Sequence, residues 1–224
     1  MNPKVSILVP VYNVSKYIER CARSLFEQTF QDIEYIFVDD ASSDNSIDLL
    51  NNVLLDYPIR QKQVSILNNK KNQGVGISRN IAIDFSKGEY IAFIDSDDYI
   101  ESNTIEVLYN FSVLENADIV VFDMEIECNH HKEIISDKIL VHKEENLKNI
   151  LTEEISHNLC NKFVRSRLYK MNECRIPNGL NYHEDFYVCV RLFFYAEIIK
   201  KIDKVFYHYV YTNSVSITKR MSKM

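Results

Sequence analysis

Apolar and polar positions alternate in blocks along the first half of the chain. Residues 5–11 form a continuous apolar run, the pattern of a strand buried on both faces, and Pro10-Val11-Tyr12-Asn13 closes it. Ser15 is then placed to cap a helix running to about Phe26. The pattern repeats at residues 33–38, an apolar strand ending in Asp39-Asp40. There Ser42-Ser43-Asp44 offers caps to a helix carrying Ile47, Leu49, Leu50, Val53 and Leu54. A short strand is expected over 64–67, a helix over 78–85 stopped by Gly88 at its C-terminal cap, and a buried strand over 90–94. Strands and helices alternating at this spacing predict a mostly parallel, doubly wound α/β sheet with right-handed crossovers and helices on both faces.

The alternation weakens later. Residues 103–114 read as helix and 117–124 as strand, while 125–141 fit either a hairpin or an irregular excursion. Helices are expected over 144–151, 161–169 and 185–196, and a last strand over 204–211. No repeat, low-complexity tract or Pro/Gly-rich linker interrupts the chain, so the change of character near residue 120 divides one domain into halves 1–120 and 121–224.

Composition narrows the function classes. The chain has 224 residues with 46% hydrophobic and 12% aromatic content, enough for a sizeable core. Its 26 basic and 32 acidic residues give a net charge of −6 without a basic block, which argues against a non-specific grip on nucleic acid. The odd cysteines, Cys21, Cys128, Cys160, Cys174 and Cys189, lack CxxC or zinc spacing and read as reduced cytoplasmic thiols. No stretch reaches spanning length, although Lys219, Arg220 and Lys223 offer either a frayed end or a contact with anionic lipid.

Candidate chemistry concentrates after the strand at 90–94, where Asp95, Asp97 and Asp98 fall within four residues. Carboxylates this close repel and raise one another's pKa, so the loop invites a divalent cation, which in turn invites phosphates. Asp39 and Asp40 end another strand, and in a parallel sheet those ends share one edge. Tyr12 is a stacking ring for a base or a core aromatic, and Asp39-Asp40 contact a nucleotide or belong to a helix cap. Arg79, in the first turn of a helix after Gly74-Val75-Gly76, is a candidate phosphate partner; the glycine pair lacks GxGxxG spacing and is no dinucleotide site. Farther on, Tyr182-His183-Glu184-Asp185 precedes an apolar helix, where the acids serve the helix dipole or one acts as a general base. His183 and His208 are the histidines placed to add a metal ligand or phosphate donor.

Taken together and in order, five patches resemble the inverting glycosyltransferases of family 2, with the GT-A fold, of the bacterial surface-polysaccharide type. They are residues 5–13 (VSILVPVYN), 38–46 (VDDASSDNS), 78–80 (SRN), 88–98 (GEYIAFIDSDD) and 184–185 (ED). The resemblance implies a nucleotide-sugar half at 1–120 and a smaller acceptor and catalytic-base half at 121–224. Pro10, Tyr12, Asp39 and Asp40 match positions around the base and ribose, with Tyr12 as the stacking ring, and Arg79 matches a nucleotide-contacting arginine. Asp95-Ser96-Asp97 looks like the DXD motif: Asp95 would face the ribose and Asp97 would bind Mn²⁺ or Mg²⁺. Asp185 matches the catalytic base. The donor implied is a nucleotide sugar, in particular a UDP-sugar. The acceptor implied is a saccharide or lipid-linked saccharide, met in the cytoplasm or peripherally at the inner face of the plasma membrane.

Val75 and Ile77 depart from the family's usual small-residue loop. Similar bacterial enzymes also continue well past the position of Met224, so a truncated piece or a minimal enzyme is expected. The competing classes are a non-catalytic nucleotide-sugar-binding module and a nucleotidyltransferase. The second expects a Gly-rich basic loop where this chain has Pro10-Val11-Tyr12-Asn13.

Overall fold

The computed structural model describes residues 2–128, 131–172, 174–180 and 183–211; the basic residues near the C-terminus and Tyr182 lie outside these. The first half alternates as the apolar blocks dictate: β1 (Val5–Val11), α1 (Ile18–Phe26), β2 (Ile33–Asp39), α2 (Ser46–Leu55), β3 (Val64–Asn68), α3 (Val75–Phe85) and β4 (Tyr90–Phe93). There follow β5 (Tyr99–Ile100), α4 (Thr104–Leu114), β6 (Ile119–Cys128), β7 (His131–Ile135), α5 (Lys143–Leu151), β8 (Lys162–Arg165), α6 (Ser166–Met171), α7 (Glu184–Tyr195) and β9 (Ile199–Val210). The strands form one sheet in the order β3-β2-β1-β4-β8-β6-β9-β5, with β7 on β6. Its N-terminal wing, β3 to β4, is parallel throughout. Past β4 the pairing turns mixed, because β8 runs antiparallel between β4 and β6. The N-terminal wing is thus the parallel, helix-covered α/β sheet that the alternation predicts.

Period-2 alternation along the strands makes two cores. On one face Val5, Ile7, Val9 and Val11 of β1 pack with Tyr90 and Ala92 of β4 against α1, α2 and α4. On the other, Leu8, Ile91, Phe93, Ile119 and Val121 meet the buried sides of α3, α6 and α7. Among the described residues no helix is long and apolar enough to cross a membrane.

Several expectations change. Residues 162–165 are strand rather than helix, since Phe163 and Val164 are buried between β4 and β6 and the helix begins only at Ser166. The undecided stretch after 125 is a hairpin of β6 and β7. Ser15 does not cap α1; its N–H donates to Asp44 Oδ2 at 3.0 Å, tying the loop after β1 to the loop after β2. Gly88 is not a helix cap either. A Cβ there would stand 2.5 Å from the backbone nitrogen of Ser6, so glycine is required for close approach to β1.

Candidate active site

Parallel pairing places the C-terminal ends of β1, β2 and β4 on one sheet edge, and the candidate residues gather there. Pro10 pairs with Val38 and Val11 with Asp39. Tyr12, the next residue, is 45% exposed and so is no core aromatic. Asp39 accepts the Ser42 N–H at 3.0 Å. Asp40 is buried and accepts the Gln73 N–H at 2.9 Å, the Gly74 N–H at 2.8 Å and the Asn69 side-chain amide at 2.8 Å. Its carboxylate therefore shapes the loop leading into α3, and Gly74 supplies the positive φ of 92° from which the helix starts. Gly76 is needed for close packing instead, since a Cβ there would stand 2.6 Å from Ile176 Cγ2.

The acidic turn follows β4. Asp98 N–H donates to the Asp95 carbonyl at 3.0 Å, closing the turn, and Ser96 is buried within it. Tyr207 of β9 spans its base: the hydroxyl donates to Asp98 Oδ2 at 2.6 Å and accepts the Asp95 N–H at 3.2 Å. Val210 N–H supplies Asp98 Oδ1 at 2.7 Å. Burial, reinforced by Asp97 and Asp95, holds the Asp98 carboxyl well above the usual carboxylate range. Added positive charge at this turn is consequently favourable. Asp97, in the same turn, is only partly buried and brings carboxylate oxygens of the kind hard divalent cations take.

Arg79 joins the two halves of the site. Its side chain is 6% exposed, and Nη2 donates to Asp95 Oδ1 at 3.1 Å. Nη1 reaches Glu184 Oε1 at 3.2 Å and also Asp185 Oδ1. Both acids lie in the first turn of α7, where the helix dipole favours them. Asp185 Oδ2 accepts the Leu159 N–H at 3.2 Å. Burial pushes the Asp185 carboxyl up to about 6, with Arg79 opposing and Glu184 and Asp95 adding to the rise. A carboxyl poised there can take a proton near neutral pH.

His208 belongs to a different carboxylate group. Its ring nitrogens lie 2.7 Å from Glu101 and 3.3 Å from Glu125, and the ring stacks on Tyr99 at 4.4 Å. Glu125, Glu127 and His208 present ligand atoms within 4.8 Å of one another. Lys132 and Arg20 already balance the two glutamates. Sequence reasoning missed Tyr207 and the Leu159 amide. A tyrosine in a strand and a backbone N–H carry no local signal, and both contacts join distant parts of the chain.

The chain matches the family described as Glycosyl transferase family 2 over residues 6–171. It is 32% identical over 214 residues to the Bacillus subtilis protein EpsH, covering 92% of this chain and 60% of that one. It is 44% identical over 121 residues to the poly(ribitol-phosphate) beta-glucosyltransferase of Bacillus spizizenii, covering 53% of this chain and 18% of the relative. The crystal structure of S. aureus TarS 1-349 in complex with UDP superposes with a TM-score of 0.79 at 25% identity, covering 92% of this chain and 60% of that one. This chain therefore spans at most 60% of the length of these proteins.

Proposed function

The chain belongs to glycosyl transferase family 2, and from that premise we propose that it is a metal-dependent, inverting glycosyltransferase. Its donor is a nucleotide sugar of the UDP class, and its acceptor is a hydroxyl of a saccharide or lipid-linked saccharide in bacterial polysaccharide assembly. The observation that carries the reading is the Arg79 bridge. One guanidinium links Asp95, on the turn after β4, to Asp185, a carboxyl raised to about 6.

In this reading Tyr12 stacks the base, while Pro10, Asp39 and Asp40 shape the pocket around base and ribose. Arg79 and Ser96 complete the donor side, Asp95 faces the ribose, and Asp97 holds Mn²⁺ or Mg²⁺; His208, whose ring nitrogens meet Glu101 and Glu125, is left out of that ligand set. The cation, when bound, supplies positive charge to a departing diphosphate. Asp185 takes the proton of the acceptor hydroxyl as that oxygen attacks the anomeric carbon from the face opposite the leaving group. Arg79 meanwhile keeps Asp185 oriented and exchanges part of its pairing with Asp95 for the donor. UDP in the TarS complex supports the donor class. A purely binding module would leave the raised pKa of Asp185 without a role.

The test is incubation with UDP-glucose and UDP-N-acetylglucosamine, Mn²⁺ and a panel of p-nitrophenyl glycosides, with the product anomer read by proton NMR. A β-linked product from an α-linked donor, absent for Asp185→Asn, is expected. An α-linked product would overturn inversion, and undiminished turnover by Asp185→Asn would remove the base.

A further inference from the structure

Lys162, the first residue of β8, is 1% exposed, yet its ammonium meets uncharged acceptors: the carbonyls of Ser156 at 2.7 Å and Asn158 at 2.9 Å, and Asn161 Oδ1 at 2.8 Å. Burying an ammonium is costly, and three hydrogen bonds to neutral oxygens give only partial return. Both carbonyls lie just before Leu159 in sequence, and the Lys162 backbone N–H closes the same turn on the Leu159 carbonyl at 3.2 Å. From the other side Asp137, also buried, accepts the Ser156 N–H at 2.7 Å, the Ser156 hydroxyl at 2.6 Å and the Asn161 side-chain amide at 3.1 Å. The turn at 156–162 is thus clamped by one cation and one anion, related through Asn161. Toward Asp185 it presents the Leu159 N–H, which donates to Oδ2.

We propose that Lys162 is a positioning residue for Asp185: with Asp137 it holds the turn at 156–162 so that the Leu159 N–H fixes one carboxylate oxygen while Arg79 fixes the other. Each oxygen retains a lone pair, so the clamped carboxylate can still accept an acceptor proton in one orientation. The inference rests on the proposed role of Asp185 as base, but its test does not.

The groups around Asp185 are Arg79 from α3, Asp95 from the turn after β4, and Glu184 and Cys189 on α7. Tyr169 of α6, Cys160 and Lys162 approach from the β8 side. Because the Leu159 bond favours the ionised form, loosening the turn raises the Asp185 titration above about 6. The experiment follows the side-chain carboxyl carbons of ¹³C-aspartate-labelled full chain by NMR across pH, with Asp185 assigned from the signal lost in Asp185→Asn. Lys162→Met should shift its midpoint upward by roughly half to one pH unit, the scale of one hydrogen bond.

Loss of the cation alone would act in that direction too, so Asp137→Asn decides. Removing a negative charge without moving the turn would lower the midpoint, whereas releasing Ser156 and Asn161 raises it. Upward shifts in both variants are expected. A downward shift or none in Asp137→Asn overturns the proposal, and this variant decides alone where Lys162→Met does not fold. Failure of the base assignment would show instead as undiminished turnover by Asp185→Asn.

Discussion

Asp185→Asn should flatten the pH dependence of stability, and the size follows from the site. The folded carboxyl titrates at about 6 against an ordinary 3.8, so in this range the native state binds the proton more tightly than the unfolded chain. The sign is the reverse of a normal salt-bridged aspartate. The contribution is fully present below the unfolded value and is lost as pH rises through about 6. At roughly 1.4 kcal/mol per pH unit the whole loss is about 3 kcal/mol, and about half of it falls between pH 5 and 7.5. With 22% of the side chain open to solvent, screening makes this an upper figure. Urea unfolding of both proteins at pH steps from 5 to 7.5 reads it directly. Relative to the variant, the wild type should lose on the order of 1 kcal/mol across the series. Parallel stability curves would refute the raised carboxyl, and with it the electrostatic case for Asp185 as base. A wild type gaining stability with pH relative to the variant would mean that Arg79 outweighs burial.

Three further outcomes follow. Arg79→Gln leaves Asp95, Glu184 and Asp185 without their shared cation. It should cost about 3–5 kcal/mol at pH 7, less in acid where the carboxyls protonate, as read by denaturant midpoints at pH 5 and 7. Gly88→Ala forces a methyl to within 2.5 Å of the Ser6 nitrogen and should destabilise by about 1–3 kcal/mol or more; an unchanged thermal midpoint would show that β1 yields freely. Tyr12→Ala should weaken nucleotide binding by about 1–3 kcal/mol in calorimetry while leaving the fold intact, since the ring is largely exposed.

The parallel wing was legible because strands covered on both faces must be apolar throughout, and 5–11, 33–38 and 90–94 are such runs. The edge collecting Tyr12, Asp40 and Asp95 followed from that topology. Legibility fell where pairing is long-range. Phe163-Val164 is too short an apolar pair to separate strand from helix, and only insertion between β4 and β6 makes it strand. The two-residue β5 exists through its pairing with β9. Asp40 illustrates a different limit. Its position at the cleft could be read from sequence, but not its three bonds to the loop before α3. His208 reads in the sequence as a metal ligand or phosphate donor, but its carboxylate neighbours Glu101 and Glu125 come from other strands and loops and could not be chosen by spacing.

The proposed function requires a metal-assisted nucleotide cleft at the ends of β1, β2 and β4. Calorimetric titration of the full chain with UDP, GDP and dTDP, each with and without Mn²⁺, addresses it most directly, with Asp97→Asn in parallel. Binding should depend on Mn²⁺, favour UDP and be lost in Asp97→Asn. Absence of binding to all three nucleotides, or UDP binding indifferent to both Mn²⁺ and Asp97→Asn, would contradict it.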